Sequence, residues 1–211
     1  EVRATDVGFL RDAEAWCRST GHRFVGSRSE GGVYIVQLEK ASVCAQEASR
    51  PASAGPRNKT FILFDDDLDK ALATFVLANG AAATGGRVSI FFTFWGLNVL
   101  KREHKPRVAK DFFGRMFGWM LPSDSTKLPL SKMNFLGIGP RMMRYLMKQK
   151  GVDSVESLRQ QALAAGVEFI ACQMSMDVMG IAREELLDEV TVGGVASYME
   201  RAEQAGVNLF I

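Results

Sequence analysis

The chain has 211 residues, of which 47% are apolar and 24% charged, and its formal net charge is +2. These values are typical of a globular protein with one or two domains. The sequence has no run of about 18 uncharged apolar residues, so we expect no membrane-spanning helix. Residues 1–16 have neither a basic region nor an apolar core, so we expect no signal peptide.

The three cysteines, Cys17, Cys44 and Cys172, are odd in number and widely spaced. This spacing matches neither a disulfide framework nor a metal-binding motif. We therefore expect a reducing, cytoplasmic location, with no cofactor and no metal.

Residues 1–40 predict a small β-α-β-β unit. Val2–Ala4 is typical of a strand, and Asp6 is a candidate cap for a helix that ends at Gly21. Two runs in which apolar and polar residues alternate then flank a turn at residues 30–32. This pattern predicts a hairpin. Residues 41–58 are rich in Ala, Ser, Pro and Gly and predict a linker.

Residues 59–211 alternate between strand and helix patterns. The predicted strands are 60–64, 88–92, 167–171, 190–192 and 208–211. The predicted helices cover 68–83 and 195–205, and further helices begin near Thr93, Ser154 and Ser175. With right-handed crossovers, these elements predict an α/β fold in which a five-stranded, mostly parallel sheet is sandwiched by helices.

A basic segment at 103–150 interrupts this alternation. It holds six of the ten methionines, and residues 101–150 carry twelve Lys or Arg against three acids. The aromatic and methionine-rich stretch 112–121 could lie on a membrane or in the groove of a partner. Alternatively, the segment packs over the sheet or at a subunit interface, or it is a solvated insertion. We expect no nucleic-acid partner.

Cys172 is the main candidate for chemistry. It ends an apolar run at 167–171 and precedes Ser175, a predicted helix N-cap. A thiol at a strand-to-helix turn lies where open α/β sheets bind ligands, and it can feel the positive end of the helix. The alternative is a cysteine that serves only as a small buried apolar side chain.

Other side chains are predicted to line the same edge of the sheet as Cys172, because the carboxyl ends of parallel strands meet there. Lys70 could stabilise a thiolate or pair with an acid, Thr93 could be a cap or a ligand, and Trp95 could be core or a lid. Asn79, on an apolar helix face, is expected to bond to backbone or lie at an interface. The full set of candidate pocket residues is Asp66, Asp67, Lys70, Thr93, Trp95, Asn98, Met174, Ser175 and Met176.

Several other chemistries fit the sequence less well. The turn after the first strand of the sheet is acidic rather than glycine-rich, which argues against a dinucleotide fold. His22 and His104 lie outside the predicted site, so a cysteine–histidine hydrolase would lack its base. Cys172, Met174 and Met176 could bind Cu(I), but their directions are expected to diverge at a helix start. A peroxidase would have only Cys44 as a resolving thiol.

Residues 59–211 resemble the DsrE/DsrF-like sulfur-relay family. The resemblance is carried by FFTFWG at residues 91–96 and by ACQMSM at residues 171–176. It implies a parallel α/β/α fold, assembly into a homo-oligomer, and a cysteine that carries sulfane sulfur as a persulfide. The matching thiol is Cys172. The implied function is relay of sulfur between donor and acceptor proteins or low-molecular-weight persulfides.

Residues 1–40 resemble the carboxyl half of a TusA/SirA-like domain, most clearly in TDVGFLRDAEAWCRSTGH. That family carries its sulfur-accepting cysteine in a CPxP motif, which is absent here, and Cys17 matches no catalytic position. Fusion to further sulfur-handling domains in a longer parent protein is plausible. The alternative function is a non-catalytic assembly or docking module for a membrane or partner, in which 103–150 is the functional surface.

Overall fold

The computed structural model describes residues 1–5, 9–41, 58–103, 108, 116 and 118–211. The chain divides into two compact units, Glu1–Gly55 and Pro56–Ile211. The predicted cap Asp6, the linker with Cys44, and most of the stretch 112–121 lie outside the described residues.

The smaller unit contains β1 (Val2–Ala4), α1 (Phe9–Thr20), β2 (Arg23–Glu30) and β3 (Val33–Glu39). Its strands form an antiparallel sheet in the order β1-β3-β2. Gly31 and Gly32 both have positive φ, as a tight hairpin turn requires. The element order is the predicted one.

The larger unit is built on a five-stranded sheet in the order β7-β6-β5-β4-β8, in which every neighbouring pair is parallel. The α/β prediction is confirmed. The strands are β4 (Asn58–Leu63), β5 (Val88–Phe92), β6 (Glu168–Cys172), β7 (Thr191–Gly193) and β8 (Ala205–Phe210). The helices are α2 (Leu68–Ala83), a 3₁₀ helix (Phe94–Leu100), α3 (Ile138–Gln149), α4 (Val155–Ala164), α5 (Gln173–Met179) and α6 (Val195–Glu203).

The two faces of this sheet are covered unequally. On one face, Phe75 of α2 packs against Phe92 and Phe169 in a large core. On the other face, Phe91, Ile170 and Cys172 form a small buried cluster. Helix α6 lies over that second face, and none of its own residues is fully buried. One side of the sheet is therefore deeply packed and the other is thinly covered.

The described part of the basic segment is partly built into this unit. Leu128 and Leu130 join the main core. The amide of Leu68, at the start of α2, donates to the carbonyl of Pro129 at 2.7 Å. Packing against the larger unit is therefore the correct interpretation for residues 128–130. No helix among the described residues has the length and apolarity to cross a membrane.

Gly96, in the FFTFWG stretch, has no room for a side chain. Its amide donates to the carbonyl of Phe64 at 2.8 Å, and an added Cβ would overlap the backbone carbonyl of Leu63. We expect Gly96→Ala to lower the free energy of unfolding by about 1–3 kcal/mol, because the clash is with backbone rather than a flexible side chain.

The matched control for Gly96 is Gly80→Ala in α2. A Cβ at Gly80 meets no atom within 4 Å, so this change should leave stability unchanged or raise it by up to about 1 kcal/mol. Urea denaturation of both variants measures the difference. Equal stability of the two variants would contradict the packing role of Gly96.

Candidate functional site

Cys172 closes β6 and occupies the N-cap position of α5. The prediction that Ser175 caps this helix is wrong, because the helix begins two residues earlier, at Gln173. The thiol is free and only 2% exposed, against Phe91 and Ile170. Cys172 therefore lies at the predicted edge of the sheet and beside a helix start, but the sulfur is beneath the surface.

Tyr198 of α6 packs against the cluster that contains Cys172. Its ring centroid lies 5.4 Å from that of Phe91. A second contact fixes α6, because the Arg201 guanidinium forms an ion pair with Glu168 at the start of β6. Sequence reasoning missed Tyr198, and its only signal was the amphipathic pattern of residues 195–203.

A buried pair of hydroxyl groups joins the ends of two strands. The Oγ1 of Thr93, directly after β5, lies 2.8 Å from the Oγ of Ser175 in the first turn of α5. Both side chains are buried, and neither caps a helix. The pair ties the helix that follows Cys172 to the neighbouring strand, which is a structural link rather than a cap.

The acidic turn after β4 engages its own lysine. Lys70 forms ion pairs with Asp65 and with Asp67, the latter at 3.1 Å. Of the two interpretations offered for Lys70, pairing with an acid is confirmed. Asn79 donates to the carbonyl of Leu158 at 3.0 Å, which confirms a backbone bond.

Asp66 and Asn98 form a second polar link at the carboxyl edge. The Asn98 amide donates to Asp66 at 2.8 Å, and Asn98 is fully buried, with an Oδ1 that has no partner among the described residues. Burial raises the pKa of Asp66, and the Asn98 bond only partly offsets this effect. The nearby Asp67 adds to the rise and Lys101 opposes it.

Trp95, Met174 and Met176 do not form one wall around Cys172. Trp95 is 44% exposed and packs on the ring of Phe64 at 5.4 Å. Met174 is 54% exposed, whereas Met176 belongs to the main core on the opposite face from Cys172. These candidate residues therefore do not line one pocket around Cys172, and the set considered for Cu(I), Cys172, Met174 and Met176, diverges as expected.

A cavity of about 450 Å³ lies at the opposite, amino edge of the sheet, away from Cys172. It is lined by the starts of β4, β5 and β6 together with residues of α6. Two of its charged side chains already have partners, since Arg201 pairs with Glu168 and Lys59 donates to Thr84 at 2.8 Å. Bonds within the protein therefore already engage these two cations of the cavity wall.

The raised pKa of Asp66 predicts a specific pH dependence of stability. Below the ordinary aspartate pKa of about 3.9 both states hold the proton, so the carboxyl has no effect on the slope. Above it, the unfolded chain releases the proton before the folded protein does, and the free energy of unfolding falls. Asp66→Asn removes this loss, so its stability relative to the natural protein should rise with pH.

Urea denaturation across the acid-to-neutral range measures this difference. The matched control is Asp177→Asn, which removes an exposed carboxylate on α5. A relative stability of Asp66→Asn that stays flat or falls as pH rises would show that the folded protein does not hold the Asp66 proton more tightly.

Comparison with known proteins identifies the larger unit. The DsrE/DsrF/DrsH-like family matches residues 56–210. The uncharacterized protein YrkE of Bacillus subtilis (strain 168) is 46% identical over 155 residues, covering 74% of this chain and 97% of YrkE. The sulfur carrier protein DsrE2 of Allochromatium vinosum is 38% identical over 148 residues, covering 68% of this chain and 91% of DsrE2.

Among solved structures, the ychN protein of E. coli aligns over 73% of this chain and 99% of its own, with 12% identity and a TM-score of 0.43. That likeness is too weak to support any statement about function. The extent of the family match and the two sequence relatives are sufficient for classification. The chain belongs to the DsrE/DsrF/DrsH-like family.

Proposed function

We propose that this protein is a sulfur carrier in which Cys172 holds sulfane sulfur as a persulfide. The observation that carries the proposal is the position of Cys172 at the carboxyl end of β6 and the start of α5. It is also the only cysteine within residues 56–210, the part that matches the family. The printed name of DsrE2, a sulfur carrier protein, supports the same function.

The transfer step needs no external oxidant or reductant. The Cys172 thiolate attacks the terminal sulfur of a donor persulfide, R–S–SH, and a new S–S bond forms as the donor S–S bond breaks. The donor leaves as the thiolate R–S⁻, and Cys172 becomes Cys172–S–SH. An acceptor thiolate then repeats the same exchange on Cys172. Suitable donors and acceptors are partner proteins or low-molecular-weight persulfides.

Cys172 lies directly before the first turn of α5. Backbone amides at a helix start lack intrahelical acceptors, and the helix dipole is positive there. Burial of the sulfur limits contact with water and with competing thiols, which suits storage of a persulfide. Exchange then requires the cover on the α6 side to open, because the sulfur is only 2% exposed.

We also propose that the protein is cytoplasmic and that it assembles into a homo-oligomer. Strand β8 is an edge strand whose apolar side chains Val207, Leu209 and Phe210 are exposed. An exposed apolar edge strand is a common site of pairing with another chain. We also propose that residues 1–40 are a TusA/SirA-like unit. Cys17 of this unit is buried.

A docking module remains the second candidate because of the surface before and within α3. Phe135, Leu136 and Ile138 are exposed, and Leu136 has a left-handed backbone. In the stretch 112–121, the described side chains of Trp119 and Met120 are also exposed. Apolar groups among basic residues suit a membrane surface or a partner protein.

Intact mass measurement after incubation with a persulfide donor such as glutathione persulfide tests the carrier function. We expect the natural protein to gain one sulfur atom, which dithiothreitol removes. Cys172→Ser should lose at least about nine-tenths of this gain, because the persulfide needs a thiolate at that position.

Cys17→Ser and Cys44→Ser are the matched controls, and both should gain sulfur as the natural protein does. A gain that persists in Cys172→Ser, or no gain in folded natural protein under any donor, would reject Cys172 as the carrier. The second of these results would leave the docking module as the better account.

A further inference from the structure

A cavity of about 250 Å³ lies between the 3₁₀ turn Ser125–Lys127 and the start of α3. Three cationic side chains line it, and no carboxylate does: they are Lys127, Arg141 and Arg144. Thr126 and Asn134 supply polar groups to the same wall. The cavity is separate from the residues around Cys172.

Two of the cations are held in place by acids outside the wall. Arg144 forms an ion pair with Glu156 at 3.1 Å, and it donates to the carbonyl of Ser125 at 2.8 Å. Lys127 lies 3.7 Å from Asp124. Together with Arg141, the group has three cations and two acids, which gives a local net charge of +1. The acids therefore position the cations without cancelling them.

The cavity also has unused donors. The Nε of Arg144 has no acceptor among the described residues, but it is buried and is not open to the cavity. Arg141 is exposed, and the described part of the chain offers it neither a hydrogen bond nor an ion pair. The Arg141 guanidinium can therefore donate to an anion in the cavity, and such charge-assisted hydrogen bonds are stronger than neutral ones.

The start of α3 contributes no free backbone donor. The amides of Gly137 and Gly139 both donate to Asn134, and the amide of Ile138 donates to Phe135. Pro140 has no amide hydrogen. Recognition of a ligand must therefore come from side chains.

We infer that this cavity binds a phosphate- or sulfate-type oxyanion, held by Arg141 and Lys127, with Arg144 adding positive charge to the wall. Guanidinium groups suit such anions because they donate several hydrogen bonds in a planar fork. The anion is either free in solution or the terminal group of a small ester. This inference does not depend on sulfur transfer at Cys172.

Isothermal titration of the full chain tests the site, with inorganic phosphate and glycerol 3-phosphate as separate probes. Sodium chloride at matched ionic strength corrects for general screening. We expect saturable binding of at least one probe, and the tighter one distinguishes a free from an esterified anion. Arg141→Gln should weaken binding roughly tenfold or more, because one charge-assisted hydrogen bond is lost.

Lys148→Gln is the matched control, since Lys148 is an exposed cation of α3 that does not line the cavity. Its dissociation constant should equal that of the natural protein. In ¹⁵N-resolved spectra, the Arg141 Nε–H signal should move with phosphate and stay fixed with chloride. Absence of saturable binding, equal weakening in both variants, or an unmoved Arg141 signal would overturn the inference.

Discussion

The proposed carrier function requires the thiol of Cys172 to be shielded from water and yet reachable by another sulfur atom, and both depend on the cover above it. Helix α6 is the element that lies over this face of the sheet. It buries none of its own residues fully, and it contacts the sheet through Tyr198 and the Arg201–Glu168 pair. Few buried contacts make an element a candidate for local opening at low free energy. The proposed carrier function depends on this asymmetry between the two faces.

The rest of the carboxyl edge is held firmly. The Thr93–Ser175 hydroxyl pair joins β5 to the first turn of α5, and Asn98 bonds Asp66 at the end of β4. Gly96 allows the 3₁₀ helix to approach the backbone after β4. These links fix the strand ends around Cys172, so that a reacting sulfur would keep its position while α6 moves.

The sequence predicted the sheet well because its central strands are continuous apolar runs, as in β5 and β6. It also favoured the Lys70–Asp67 ion pair, which depends on local spacing. For Asn79 it left a backbone bond and an interface both open, because the partner Leu158 is distant in the sequence. It placed the cap at Ser175 because hydroxyl side chains usually cap helices, whereas here the hydroxyl is committed to Thr93. It could not assign Met176 to the face opposite Cys172, nor Tyr198 to the cover, because both depend on tertiary packing.

The rate at which iodoacetamide modifies Cys172, read by peptide mass spectrometry, tests the central claim most directly. Tyr198→Ala removes an aromatic contact of about 0.5–1.5 kcal/mol and should raise this rate roughly two- to tenfold. Tyr145→Ala, at an exposed tyrosine of α3, should leave the rate unchanged. Equal rates in the two folded variants would contradict access to the thiol through the α6 cover.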